Sequence, residues 1–314
     1  MANYLLRRIL QLVPVLLGIS VITFGLLQLV PGDPAEMLIR QNGMEPTDQA
    51  VQALRVEMGL DKPLHIQFAK WLWGVIRLDL GQSYQTGLPV YEELTSRFPA
   101  TLELALGAIT VMLVIAIPLG ILSAVFQNTI FDHFSRLLAL TGASLPGYWL
   151  GLLLIYFFSV RLGILPVMGR GGLYHLIMPA VTLGFGMSAT YIRLLRASLL
   201  EVMGQEFITA ARARGITEKL IIGEHALRHA LLPVITAFGI SLGYLLGGTA
   251  IIETIFAWPG LGKFCVAAIF NRDYPVLQAY VLMMAVAFMM VNLLVDISYA
   301  FLDPRIRLAG REKD

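Results

Sequence analysis

Long uncharged apolar runs alternate along this chain with shorter segments that hold most of its charge. Six runs stand out: 9–30, 104–125, 137–160, 176–192, 230–252 and 276–295. A helix rises about 1.5 Å per residue and a bilayer core is about 30 Å thick, so about 20 apolar residues cross it. In lipid the backbone must satisfy its own hydrogen bonds, which makes each run a helix. The pattern predicts an all-α integral membrane protein with six transmembrane helices. The run 176–192 is short, and its helix is expected to start a few residues earlier. Pro14, Pro118, Pro146, Gly243, Gly247 and Gly248 lie inside the runs. A bundle accommodates them, because neighbouring groups take up freed backbone partners and small residues allow close approach. The first run is longer than a secretory signal core, and PGDPAEM after it offers no A-x-A-like cleavage site, so it reads as a retained span.

Composition agrees. The chain has 314 residues, 57% hydrophobic and 14% charged, against about 25% charged in soluble domains. A net charge of +2 gives no nucleic-acid footprint. Cys265, the one cysteine, excludes an internal disulfide framework and a multi-cysteine zinc site. Lysine and arginine set the orientation. Arg7, Arg8, Arg136, six basic residues in 193–229 and the tail residues Arg305, Arg307, Arg311 and Lys313 fall on one side, read as cytoplasmic together with both termini. The segment 31–103, where acidic residues outnumber basic ones, falls outside.

That external segment is patterned. TDQAVQALRVEMGL predicts an amphipathic helix with Thr47 as N-cap, Val51, Leu54 and Met58 on one face and Gly59 at its end. HIQFAKWLWGVIRL repeats the pattern with Phe68, Trp71, Leu72, Val75 and Ile76, and its two tryptophans suit a membrane interface. Two readings stay open: a cap packed on the bundle, or a platform for an external partner. With no tandem repeat, residues 1–314 read as one membrane domain carrying the 31–103 insertion.

Candidate chemistry is sparse. PGLGKF at 259–264 lacks the first glycine of a phosphate loop (Ala257 stands there) and its hydroxyl (Phe264), so it reads as a turn. His225 and His229 share a helix face and could bind a metal, or simply mark the inner end of a span. His175 and the methionines, Met178 and Met283 among them, could pass a soft metal, but methionine also fills cores. Asp296, with Asn292 near it, is an intramembrane carboxylate, a path residue or a helix-end contact. No catalytic triad or carboxylate pair is visible in the spans, so the chain is not expected to be an enzyme.

The cytoplasmic loop 193–229 carries six basic and four acidic residues, which keep it in water. EFITAARAR favours a helix, with Phe207, Ala210, Ala211 and Arg214 at helical spacing. Gly215 can end it in the left-handed region, and Thr217 can cap a second helix whose first turn holds Glu218. The loop is either a stub packed on its own bundle or a plug for a cytoplasmic partner.

TAARARG followed by HALRHALLPVI resembles the EAA loop of ABC-importer permeases. Ala210, Ala211, Gly215, Leu232 and Pro233 match, the last two at a longer spacing; Thr209 replaces the glutamate and Ala230 the isoleucine. LVPGDPA, GLDKPLHIQFAKWL, DLGQSY, RFPATLELAL and IFAWPGLG resemble the peptide/nickel branch of these permeases, and AIFNRDYPV and LPVMGRGGLYHLIMPAV its nickel-transporting members. The resemblance implies a type I ABC-importer permease (MetI-like) fold in the bacterial inner membrane. It implies a second homologous permease, two cytoplasmic ATPase subunits carrying ATP and magnesium, and an external substrate-binding protein. Glu206, Thr209, Ala210, Ala211, Arg214, Gly215 and Thr217 would form the ATPase-coupling site, with no cofactor bound by this chain. Nickel or a nickel chelate is the expected cargo, through His175, Met178, Met283 and Asp296; di- or oligopeptides are the alternative. A self-sufficient channel or secondary transporter, or a membrane scaffold, are the competing classes.

Overall fold

The computed structural model describes the backbone of residues 2–41 and 43–302 and the side chains of 10–40, 43–243, 245 and 249–295. The basic tail and the side chains of Arg7, Arg8 and Asp296 lie outside the described residues. The elements are helical, joined by loops that include one isolated bridge between Gln82 and Pro89. Among the described residues, five helices are long and apolar enough to cross a membrane, and a bent helix pair makes a sixth span if it counts as one.

Helix α1 (Ala2–Gln28) is the first span, and Pro14 lies inside it without ending it. Helix α2 (Pro34–Gln41) escaped the periodicity reading because eight residues hold too few turns. Its signal is local: Asp33 Oδ1 accepts the Ala35 N–H at 2.9 Å, and Pro34 takes the first helical position. Helix α3 (Asp48–Met58) is capped as expected. Thr47 Oγ1 accepts the Ala50 N–H at 3.4 Å, and Gly59 ends the helix at φ 71°. In helix α4 (Leu64–Ile76), Phe68 stands edge-on to Phe24 of α1 at 5.3 Å, so this face packs on the first span, while Ile76 is exposed rather than on the packed face.

Helix α5 (Val90–Val125) starts well before its apolar run and passes through Pro99. The third predicted span is broken. Helix α6 (Ile130–Ser144) and helix α7 (Gly147–Leu154), which continues as a π-helix over Ile155–Arg161, meet at 101°. Leu145 is extended (ψ 124°) before Pro146, whose ring excludes the helical region for its predecessor and supplies no N–H. The expectation that the bundle would absorb Pro146 within one straight helix is therefore corrected. Helix α8 (Leu173–Met203) extends past its apolar run at both ends. Helices α9 (Glu206–Ala213), α10 (Glu218–Leu220), α11 (Leu227–Gly248), α12 (Ala250–Ile255), α13 (Leu261–Asn271) and α14 (Tyr274–Leu302) follow, with a π-helix over Ile221–Ala226 joining α10 to α11. At PGLGKF the glycines do not make the turn. Gly260 is extended, Gly262 is buried inside α13, and the left-handed residue is Ala257 (φ 47°).

The contacts form two compact units. One comprises Met1–Thr101 and Pro259–Met289, the other Leu102–Trp258 and Met290–Asp314. In the first, Val90, Leu94, Leu261, Val276 and Tyr280 share an apolar core. The buried Asp273 carboxylate accepts the Ser83 hydroxyl (2.5 Å) and the Tyr84 and Gln85 N–H groups (3.1 and 3.3 Å), and Thr101 Oγ1 accepts the Leu261 N–H (2.8 Å). Burial and the nearby Asp273 carboxylate push the Tyr84 phenol well above its usual range.

In the second unit, α8 supplies Ile192, Leu195 and Leu199 to a core shared with Met112, Ile208 and Ile221. Arg170, after the bent pair, makes an ion pair with Glu103 of α5 at 2.6 Å. Helices α5 and α8 approach closely at Gly184, where a Cβ would stand 2.5 Å from the Ala108 carbonyl oxygen and 2.7 Å from Val111 Cβ. Leucine there must push the helices apart. We expect Gly184→Leu to lose most folded protein in detergent, and a monodisperse gel-filtration peak at wild-type yield would show the crossing to be looser than drawn.

Candidate functional site: helix α9 and its turn

The polar loop between α8 and α11 folds onto its own unit through one face of α9. Ile208 is fully buried and Ala211 is 9% exposed, clustered with Ile221, Ala226 and Ala230. The opposite face carries Glu206, Thr209 and Ala210, all open, while Phe207 (43% exposed) and Arg214 are open on the flanks of the helix. The two alanines expected to act together are thus divided: Ala210 points outward and Ala211 inward, one helical step of about 100° apart. Ala211 belongs to the seat of the helix rather than to its outer surface. Glu206 in the first turn faces the positive end of the helix dipole.

The turn is held by backbone and charge. Gly215 lies at φ 79° and donates to the Arg212 carbonyl (2.9 Å), while the Ile216 N–H reaches the Ala211 carbonyl (3.3 Å). A Cβ on Gly215 would meet no atom within 4 Å, so the backbone conformation alone requires glycine. Thr217 occupies the N-cap position of α10, but its hydroxyl makes no capping bond. Glu218 does the fastening instead. Its carboxylate accepts Arg212 Nε at 2.6 Å and Nη2 at 3.4 Å, which raises the guanidinium further above its ordinary pKa. From Glu218 the chain runs without a break through the π-helix into the fifth span, as one apolar helix to Gly243. Phe207 meets His229 of that span edge to face at 5.3 Å, so α9 touches the base of the helix it leads into.

Of the expected cargo-path residues, His175, Met178 and Met283 have described side chains. His175 is half-buried in the first turn of α8, with its Nδ1 buried and unpartnered. Met178 is fully buried with Ile252 and Phe256, and its sulfur accepts a weak bond from Ser159 Oγ at 3.8 Å. Met283 packs in the apolar core of the other unit, and the Asp296 side chain lies outside the described residues. His225 is half-buried in the π-helix. Among the described residues, no three His, Cys, Asp or Glu side chains converge as metal ligands.

Sequence reading missed a buried polar cluster at one end of α6 and α8. The Asp132 carboxylate, fully buried, takes Arg196 Nε and Nη2 (both 2.9 Å), the Ser123 hydroxyl (2.6 Å) and the Asn128 N–H (3.0 Å).

The family described as binding-protein-dependent transport system inner membrane component matches residues 116–308, and its N-terminal component matches residues 1–105. The chain is 40% identical over 338 residues to the dipeptide transport system permease protein DppB of Escherichia coli strain K12, covering 98% of this chain and 99% of that protein. It is 40% identical over 307 residues to the glutathione transport system permease protein GsiC of Salmonella paratyphi A, with the same coverage. The MetNI methionine ABC transporter in inward-facing conformations shares the fold at TM-score 0.58 and 22% identity, over 67% of this chain and 96% of that one. A crystal structure of an amino acid ABC transporter with histidines does so at 0.51 and 16%, over 66% and 92%. With relatives this similar along nearly its whole length, the chain belongs to the binding-protein-dependent transport family of inner membrane components, as an ABC-importer permease of the peptide branch.

Proposed function

We propose that this permease subunit imports di- or oligopeptides, pairing with a second related permease to enclose the path, with two ATPase subunits on the α9 side and an external binding protein opposite. The observation that carries the cargo is the 40% identity, over 98% of the chain, to a dipeptide permease. The glutathione permease, at the same identity, is also named for a small peptide. Peptide, the alternative at the level of sequence, therefore replaces nickel as the leading reading.

The exposed face of α9 is the proposed grip for an ATPase. Nucleotide-driven closure of the ATPases would displace α9 as a rigid body. Ile208 and Ala211 tie it to the core and the Gly215 turn ties it to the fifth span, so the displacement would tip that span between two arrangements. ATP and magnesium act on the partner subunits.

Uptake in a strain deleted for this chain tests the cargo. Labelled dipeptide uptake should vanish on deletion and return with the restored chain, while radioactive nickel uptake is unchanged. Loss of nickel uptake alone would reinstate nickel.

A further inference from the structure

Helix α4 packs on the first span through one face. Phe68 meets Phe24 of α1, and Trp71 stands against Phe68 with 6.0 Å between ring centroids. Phe24 lies about one turn before Gln28, where that span ends, so α4 sits at the level where the bilayer core gives way to headgroups. Its 13 residues, about 20 Å of helix, are too few to cross. Asp61 and Lys62 before it and Arg77 and Asp79 after it are exposed, so neither end enters hydrocarbon. The helix lies along the boundary.

The other face is open. Ile66, Lys70, Trp73 and Arg77 follow one another at helical spacing and form a single exposed stripe, flanked by Ile76. Trp73 is 57% and Ile76 68% exposed. Of the two tryptophans, only Trp73 therefore faces away from the span. Helix α4 contains no acidic residue, and among the described residues neither Lys70 nor Arg77 joins an ion pair. The Arg77 guanidinium lies 4.7 Å from the Trp73 ring centroid, which leans it back along the stripe toward Lys70. After the helix, Leu78 is held at φ 61°, a region leucine rarely takes, and its side chain is still largely exposed.

We propose that this stripe binds an anionic phospholipid of the surrounding leaflet, its phosphate between Lys70 and Arg77 and its acyl chains against Trp73, Ile76 and Leu78. About two turns separate the cations, a gap that two long side chains close around one phosphate. Guanidinium and ammonium groups suit a phosphate oxygen through charge-assisted hydrogen bonds. Tryptophan and large aliphatic residues beside unpaired cations, level with the end of a span, are the composition of a helix resting in a bilayer surface rather than of a site for a soluble protein. The inference does not depend on the cargo.

The test reads Trp73 directly. The permease, purified with the subunits that accompany it, is placed in phosphatidylcholine nanodiscs. A small fraction of the lipid is then replaced by brominated phosphatidylglycerol or by brominated phosphatidylcholine, both of which quench nearby tryptophan. Wild-type emission minus that of Trp73→Phe isolates Trp73. Brominated phosphatidylglycerol should associate about tenfold more strongly than brominated phosphatidylcholine, the scale of two cations beside an anionic headgroup. Lys70→Gln/Arg77→Gln should abolish that preference while either lipid still quenches, and Lys70→Arg should keep it. Equal quenching by the two lipids in the wild type would overturn the proposal, as would a preference that survives in the double variant. So would Trp73 emission that neither lipid quenches but that shifts when the external binding protein is added, because the face would then belong to a protein partner.

Discussion

Asp132→Ala is expected to cost the permease about 3–5 kcal/mol, the cost of removing one partner of a buried ion pair. The carboxylate is fully shielded and takes four hydrogen bonds, two of them from the fork of Arg196, whose side chain is only 20% exposed. Removing it strands a guanidinium, the Ser123 hydroxyl and the Asn128 N–H in a site built for an anion. Asp132→Asn keeps the volume and should still lose most of this, because an amide cannot match the charge. Arg196→Ala should be at least as damaging, since the stranded carboxylate is the deeper partner. The pairing account is checked by Asp132→Ala/Arg196→Leu, because replacing a whole buried pair by apolar groups is often nearly neutral. Unfolding in mixed micelles with rising dodecyl sulfate reads all four variants. A double variant no more stable than either single one would mean that packing, not charge, holds α6 to α8.

The second large effect separates two neighbouring alanines. Ala210→Arg places a long cation on the open face of α9, where the ATPase is proposed to sit. Peptide uptake should fall by about tenfold or more, within the range of typical coupling energies, with normal amounts of inserted protein and ATPase activity no longer responsive to the binding protein. Ala211→Arg forces the same group against Ile208, Ile221 and Ala226, so the amount of folded protein should fall first. Full transport by Ala210→Arg would remove this face as the grip.

These neighbours also mark what a single sequence can tell. Helical spacing says which residues share a face, but Ala210 and Ala211 differ by one step, and only the position of Ile221 and Ala226 reveals which of them turns inward. Local signals were legible wherever a few adjacent residues settle the conformation: the cap at Thr47, the left-handed end at Gly59 and the turn at Gly215. Apolar runs marked the spans but not their ends, because α5 and α8 stay helical beyond the hydrocarbon, where charged residues are soluble. Pro146 was ambiguous in principle, since proline can be absorbed by a bundle or can break it, and neighbours decide. Asp132 and Arg196 are 64 positions apart, and nothing local announces such a pair.

The ion pair between Glu103 and Arg170 has a topological meaning. Glu103 stands at the start of the apolar part of α5, and Arg170 follows the bent α6–α7 pair. From Glu103 the chain crosses once along α5. Two charges 2.6 Å apart cannot sit on opposite faces of a slab about 30 Å thick, so the chain has returned by Arg170. Only the bent pair lies between, so despite its 101° angle it makes the return crossing. Counted as one crossing, the bent pair brings the candidate spans among the described residues to six, and α8 then carries the chain away again. The turn at Gly215 must open on the face opposite the Glu103–Arg170 pair.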